Sequence, residues 1–206
     1  MNRPRQEYQV NTSATPEKRG DKARKLILQA LHDCIIAKGY AKTTLADIAE
    51  LAGMYPSHLL YYFDGKDGIL EQYFQNVAEQ FVERIGGFRA DSPERQIDLI
   101  ADVFFAGHGF TKSEIGFMLE CFGAAVNDAV LKREKTEFDR WFKSYLTELF
   151  EQTPRGFVSG SRDSAEVAFA MLIGLRTAVY FDERLELRKA HRLFRTTMRT
   201  IAGFDQ

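Results

Sequence analysis

The residue types best suited to metal binding or nucleophilic attack are sparse in this chain, and their spacing serves neither purpose. The four histidines, His32, His58, His108 and His191, include no HxxxH or HExxH pair, the spacing by which a helix aims two imidazoles at one ion. The two cysteines, Cys34 and Cys121, form no CxxC and each sits among apolar residues. A disulfide framework is therefore not expected, and a reducing compartment, the cytoplasm, suits them. Glu120-Cys121 is near His108 in sequence, but a Cys and a His within apolar runs read as core. Phosphate loops of the GxxxxGK or GxGxxG kind and the GxSxG nucleophile turn do not occur. No catalytic residue, metal or cofactor is expected.

A second group of residues suits recognition rather than reaction. Thr43 and Thr44, Tyr55, Pro56, Ser57 and His58, Tyr61 and Tyr62, and Lys66 bring hydroxyls, rings and an ammonium into one short stretch. Such groups contact phosphate oxygens and base edges. Among them Ala49 and Gly53 stand four apart, with Ile48, Ala52, Met54, Leu59 and Tyr62 around them. Two short helices crossing closely need a small residue where their backbones meet, and Ala49 supplies it. The turn between them wants a positive φ, which Gly53 adopts without strain. The apolar positions would fill the inside of the angle. This is helix-turn-helix spacing, which lays the second helix in the major groove of DNA. Lys18, Arg19, Lys22, Arg24 and Lys25 face only Asp21, a cluster able to neutralise phosphates or simply to solvate a helix start. The chain as a whole carries a formal charge of −1 and is no polycation.

These residues must be positioned by helices. Residues 1–20 lack an apolar period and read as a disordered arm. From Asp21 the pairs Leu26/Ile27, Ala30/Leu31 and Cys34/Ile35 follow a helical rhythm to Gly39. Thr44 with Asp47 resembles a capping box opening LADIAELA, and Pro56 suits the first position of PSHLLYYF. A long helix then runs from Lys66 to Gly86-Gly87, and another from Ser92-Pro93 to the Gly107–Gly109 break. Further helices are expected over about 113–127, 129–151, 163–183 and 187–202, with a loop at 153–163. The longest apolar run, Val167 to Leu175, is too short to span a bilayer, and no membrane role is expected. The fold class is all-α: a three-helix helix-turn-helix head over 21–66, then a helical bundle over 67–206, about nine or ten helices in all.

The stretch from Arg24 to Leu70 closely resembles the head of the TetR family of regulators. The shared pieces are KGY closing the first helix, TT before the IA pair, AG at the turn, and YYF-x-x-K-D-x-I-L. The resemblance implies a sequence-specific DNA-binding transcriptional regulator, a homodimer on a palindromic operator; a small apolar or amphipathic effector is expected to release it, the alternative being an effector that tightens DNA binding. It implies that Thr43 and Thr44 approach phosphate, that Tyr55, Pro56, Ser57 and His58 face the groove, that Tyr61 and Tyr62 pack on backbone or thymine methyls, and that Lys66 pairs with phosphate. The chain departs from the family at Tyr55, where a small cap is common, and at Leu59-Leu60, where Leu-Tyr is common. It departs also at Ala46, where a polar residue reads a base in several members.

Beyond the head the resemblance is one of length and helical architecture. The 17 Phe suit both a large core and an apolar ligand cavity. Candidate lining residues are Phe104, Phe105, His108, Phe117, Met118, Cys121, Phe122, Trp141, Phe142, Tyr145, Phe169, Leu172, Arg176 and Tyr180. Glu120 and Arg176 interrupt apolar runs and need partners: each other, a second subunit or a ligand. Ala170, Gly174 and Ala178 form a small-residue stripe, suited to a dimer interface or to packing within one subunit. The alternative to a DNA-binding regulator is a helical adaptor that works by protein contact.

Overall fold

The structure, a computed structural model, describes residues 19–106, 111–154 and 160–204. His108, residues 1–18 of the expected arm and residues 155–159 of the expected loop lie outside them. Among the described residues there are nine α-helices, one 3-10 turn and no strand. The head comprises α1 (Arg19–Lys38), α2 (Leu45–Leu51) and α3 (Pro56–Tyr62). The body comprises α4 (Gly65–Gly87), the 3-10 turn Phe88–Ala90, α5 (Pro93–Phe105), α6 (Lys112–Asn127), α7 (Ala129–Glu151), α8 (Ser161–Phe181) and α9 (Leu187–Ala202). Arg19 and Gly20 thus belong to the first helix rather than to an arm, and α8 begins inside the expected loop.

Local chemistry sets the helix ends. Thr44 and Asp47 form a reciprocal capping box on α2, each satisfying a backbone N–H of the other. Ser92 caps α5 ahead of Pro93, Thr111 caps α6, and Asp128 accepts from two backbone amides of α7. Gly53 takes φ +67° in the turn between α2 and α3, the conformation its place required.

Two buried clusters organise the packing. One joins α4, α5, α7, α8 and α9, with Phe142, Tyr145 and Phe194 among its largest side chains. α9 shows how: Ala190, Phe194, Met198 and Ile201 point inward while Arg188, Arg192 and Arg195 stay in solvent. The other cluster joins Ile27, Leu31, Ile48, Ala49, Leu59 and Leu70 to Phe117, Cys121 and Ala125 of α6 and Leu131 of α7. Packing therefore crosses the boundary expected between residues 66 and 67. α8 as a whole is long and apolar enough to cross a bilayer, more than its central apolar run suggested. In this fold it lies against α7 and α9 and buries Ala168, Leu172, Arg176 and Val179.

Candidate functional site

In α3 only Leu59 is buried, and it anchors the helix to the head core. Ser57, His58, Leu60 and Tyr61 are exposed, with Tyr55 just before the helix; Tyr61 is 82% exposed. Tyr62 is half-buried. Arg24 of α1 donates to the Tyr62 carbonyl at 3.1 Å and lies over the Tyr62 and Phe63 rings, which fixes the C-terminal end of α3 to α1. Leu60 joins this exposed surface, although nothing in the sequence marked it beyond its place beside Tyr61.

The two threonines separate. Thr44 is exposed and caps α2, and its hydroxyl donates to Asp47 at 2.5 Å. Thr43 is 2% exposed and donates to the Gly39 carbonyl at 2.9 Å, so its hydroxyl closes the end of α1. This corrects the expectation that Thr43 reaches phosphate. Lys66 turns its ammonium to the Tyr40 and Thr43 carbonyls, at 3.0 and 2.9 Å, and over the Tyr40 ring. It ties α4 to the α1–α2 turn, an internal role that sequence reasoning missed. Asp67 accepts from the Tyr40 hydroxyl in the same knot. Lys38 and Thr44 hold the Asp47 carboxyl down to about 2.

The body holds a partly open cavity of about 250 Å³ between α4, α5, α6, α7 and α8. Of the expected lining residues, Phe104, Phe117, Met118, Cys121, Phe122, Phe142, Phe169, Leu172 and Arg176 are there. Phe105 instead packs on Phe194. Trp141 stacks beside Phe142 and Tyr145 outside the cavity wall. Tyr145 donates to Gln96 at 2.6 Å in the core, where burial pushes its hydroxyl up to about 12. Tyr180 lies against Gly116, where a Cβ would fall 2.6 Å from its ring.

Sequence reasoning missed the α4 wall: Tyr73, Phe74, Val77, Ala78 and Phe81. Their signal was a 73/77/81 and 74/78 periodicity on a helix read only as a connector. It also missed Glu114, Lys135, Phe138, Asp139 and Ile173.

The polar lining is compact. Lys135 pairs with Asp139 at 2.5 Å. Arg176 donates to the Phe104 carbonyl at 3.4 Å; burial lowers it to about 10 while the field of Glu114 pulls it back up. Burial pushes the Cys121 thiol up to about 12, which keeps it protonated and unlike an activated nucleophile. Glu120 does not pair with Arg176. Its carboxylate accepts from the Tyr40 amide at 3.2 Å, at the end of α1.

Ala170 and Gly174 are exposed and Ala178 half-buried, and a Cβ at Gly174 would meet nothing within 4 Å. The stripe thus does not serve close packing within the subunit. Val167 and Phe181 on α8 and Leu193 on α9 extend it as an exposed apolar face.

A helix-turn-helix head with an exposed third helix, set on an enclosing helical body, defines a DNA-binding transcriptional regulator rather than an enzyme. Residues 27–73 match the family described as bacterial regulatory proteins, tetR family. The chain is 29% identical over 156 residues to the transcriptional regulator BetI 1 of Chromohalobacter salexigens, covering 74% of this chain and 76% of that one. It is 30% identical over 82 residues to the regulator RutR of Escherichia coli, covering 40% and 39%. A TetR transcription regulator from Haloarcula marismortui shares the fold at a TM-score of 0.76 and 18% identity, over 89% of this chain and 97% of that one. A transcriptional regulator from Saccharomonospora viridis, solved with choline, does so at 0.75 and 16%, over 86% and 95%. The head therefore matches the TetR family, and the chain over about three quarters of its length is similar to a transcriptional regulator.

Proposed function

We propose that the protein is a homodimeric, cytoplasmic repressor that docks two heads on a palindromic operator and is released by a small apolar or amphipathic effector held in the cavity. The observation that carries the DNA reading is the surface of α3. Its rings stand in water although the head core is complete without them, so they remain available to a partner. In this reading Tyr55, Pro56, Ser57, His58, Leu60 and Tyr61 enter the groove, Thr44 approaches phosphate, and Tyr62 is mainly a support. Lys66 spends two of its three donors internally and keeps one for a phosphate.

The apolar face of α8 and α9 is the dimer surface in this proposal, with the head over 21–66 and the sensing and dimerisation region over 67–206. The effector reading is supported by the lining: α4 and α6 form the cavity wall and both touch α1 of the head. An occupant that shifts either helix would move the heads relative to one another. Simultaneous docking in grooves about one helical turn, roughly 34 Å, apart tolerates little of that. The Saccharomonospora viridis neighbour, solved in complex with choline, is one example of a protein of this fold with a small organic molecule bound.

The test is selection from a random duplex pool by the full-length protein. Enrichment of a two-fold symmetric site, with Lys66→Met weakening all sequences alike and lowering the salt slope, is the expected result. No enrichment over the starting pool would leave the adaptor reading instead.

A further inference from the structure

We propose that Glu114 is the polar anchor of the cavity, that it takes the cationic group of a small amphipathic effector, and that in doing so it gives up its hydrogen bond to His32 of the head. This inference rests on the reading of the cavity as the effector site and names both the ligand class and the route of release.

Glu114 belongs to two structures at once. It lines the cavity, and its Oε2 lies 3.1 Å from Nε2 of His32 on α1. The imidazole packs against Tyr73 of α4 and Phe117 of α6, at ring distances of 5.6 and 4.7 Å; those two rings touch each other at 5.0 Å, and both also line the cavity. The joint between head and body is therefore part of the cavity wall. His32 has a second carboxylate on its other side: Nδ1 is 3.2 Å from Oδ1 of Asp33. A neutral imidazole has one N–H and can serve only one of the two. When Glu114 turns to another partner, the imidazole keeps Asp33 as an acceptor beside it, so the ring is not left without a hydrogen bond.

The surroundings favour a cation as the new partner. The other carboxylate of the lining, Asp139, is already paired with Lys135. Arg176 is directed to the Phe104 carbonyl and lies over the Phe104 ring. The rest of the wall is largely aromatic, and ring faces attract cations, more so in a desolvated site. α6 carries a second tie to the head, the Glu120 carboxylate on the Tyr40 amide in the α1–α2 turn, so a shift of α6 toward an occupant relaxes two contacts with the head.

Three probes with one ring and different head groups test this on the full-length protein: 2-phenylethylammonium, 2-phenylethanol and 3-phenylpropionate. Binding is read by calorimetry and the joint by hydrogen–deuterium exchange along α1. The ammonium should bind at least tenfold tighter than the alcohol and raise exchange in α1. Glu114→Gln should erase that preference. His32→Phe keeps a ring in the stack and removes the competing hydrogen bond; by linkage it should tighten the ammonium about 3- to 10-fold and abolish the exchange response. Asp33→Ala, at an exposed position that does not endanger folding, removes the second acceptor, leaves His32 wholly to Glu114 and should weaken the ammonium. A carboxylate probe that binds tightest would make Arg176 the anchor and overturn the proposal. An ammonium that binds preferentially while α1, His32→Phe and Asp33→Ala show no response would overturn the coupling and leave the cavity as an effector site. Binding of none of the three would count against the effector site itself and against the inference built on it.

Discussion

The third helix of the head and the cavity of the body are both rich in rings, and the fold treats them in opposite ways. Tyr55 and Tyr61 are 74% and 82% exposed, whereas Phe104 and Phe142 are 6% and 1% exposed. α3 is held by one buried leucine, by the half-buried Tyr62 and by Arg24 at its end, so its exposed side chains are free to meet a large partner. The cavity rings hold one another: Phe104 lies 5.6 Å from Phe81 and 5.4 Å from Phe142. The same chemistry thus serves two kinds of recognition, outward to a polymer and inward to a small molecule. The difference between them is whether the fold itself depends on the ring.

That comparison can be broken by truncating rings on each side. The largest effect belongs to the cavity. Phe142→Ala should cost about 3–5 kcal/mol of stability, read by chemical denaturation, because a buried ring leaves a void that its neighbours fill only in part. A cost within the range of surface substitutions would mean that the cavity wall is not part of the core.

Gly174→Leu comes next. Within one subunit a side chain there meets open space, so the folded subunit should keep its stability. Across the proposed α8–α9 interface the added bulk should cost about 1–3 kcal/mol. Light scattering should show monomer at concentrations where the unaltered protein is dimeric, and affinity for a palindrome should fall toward that for a half-site. An unchanged dimer would place the interface on another face.

His58→Ala should alter sequence preference, by about 1–3 kcal/mol at the base it faces, without altering the salt slope. Repeating the selection with the variant measures this. An identical preferred site would remove His58 from the groove.

The smallest effect is in acid. The Asp47 carboxyl falls from 3.8 to about 2 on folding, held first by Lys38 and then by Thr44. A depressed folded value means that the ionised form stabilises the head. That contribution is complete above the unfolded value and is lost as pH falls from about 4 through 2. Asp47→Asn should flatten this part of the acid-unfolding curve followed by circular dichroism. Parallel curves for the two proteins would show that the contact adds no pH-dependent stability.

The head was legible because its signals are local. Thr44 and Asp47 are three apart, Ala49 and Gly53 four apart, and Pro56 marks a helix start, so each feature lies within one or two turns of chain. The cavity was half legible because composition identifies rings without saying which way they face. Phe104 and Phe105 are adjacent, yet one lines the cavity and the other packs on Phe194, a choice made by the remote α9. Glu120 was readable as a charge needing a partner, but the partner, the Tyr40 amide, is 80 residues away. Thr43 and Lys66 looked like phosphate ligands by type, whereas their bonds to Gly39, Tyr40 and Thr43 carbonyls depend on how the α1–α2 turn folds back onto α4.

The most direct test of the account is a paired measurement on Tyr61→Ala: thermal and denaturant stability of the full-length variant, and its affinity for the selected palindrome by fluorescence anisotropy. Tyr61 is exposed and anchors nothing in the core, so stability should stay within about 0.5 kcal/mol of the unaltered protein. Affinity should fall roughly 5- to 150-fold, the equivalent of about 1–3 kcal/mol for one lost groove contact. Unchanged stability together with unchanged affinity would contradict the claim that the exposed third helix is the surface that reads DNA.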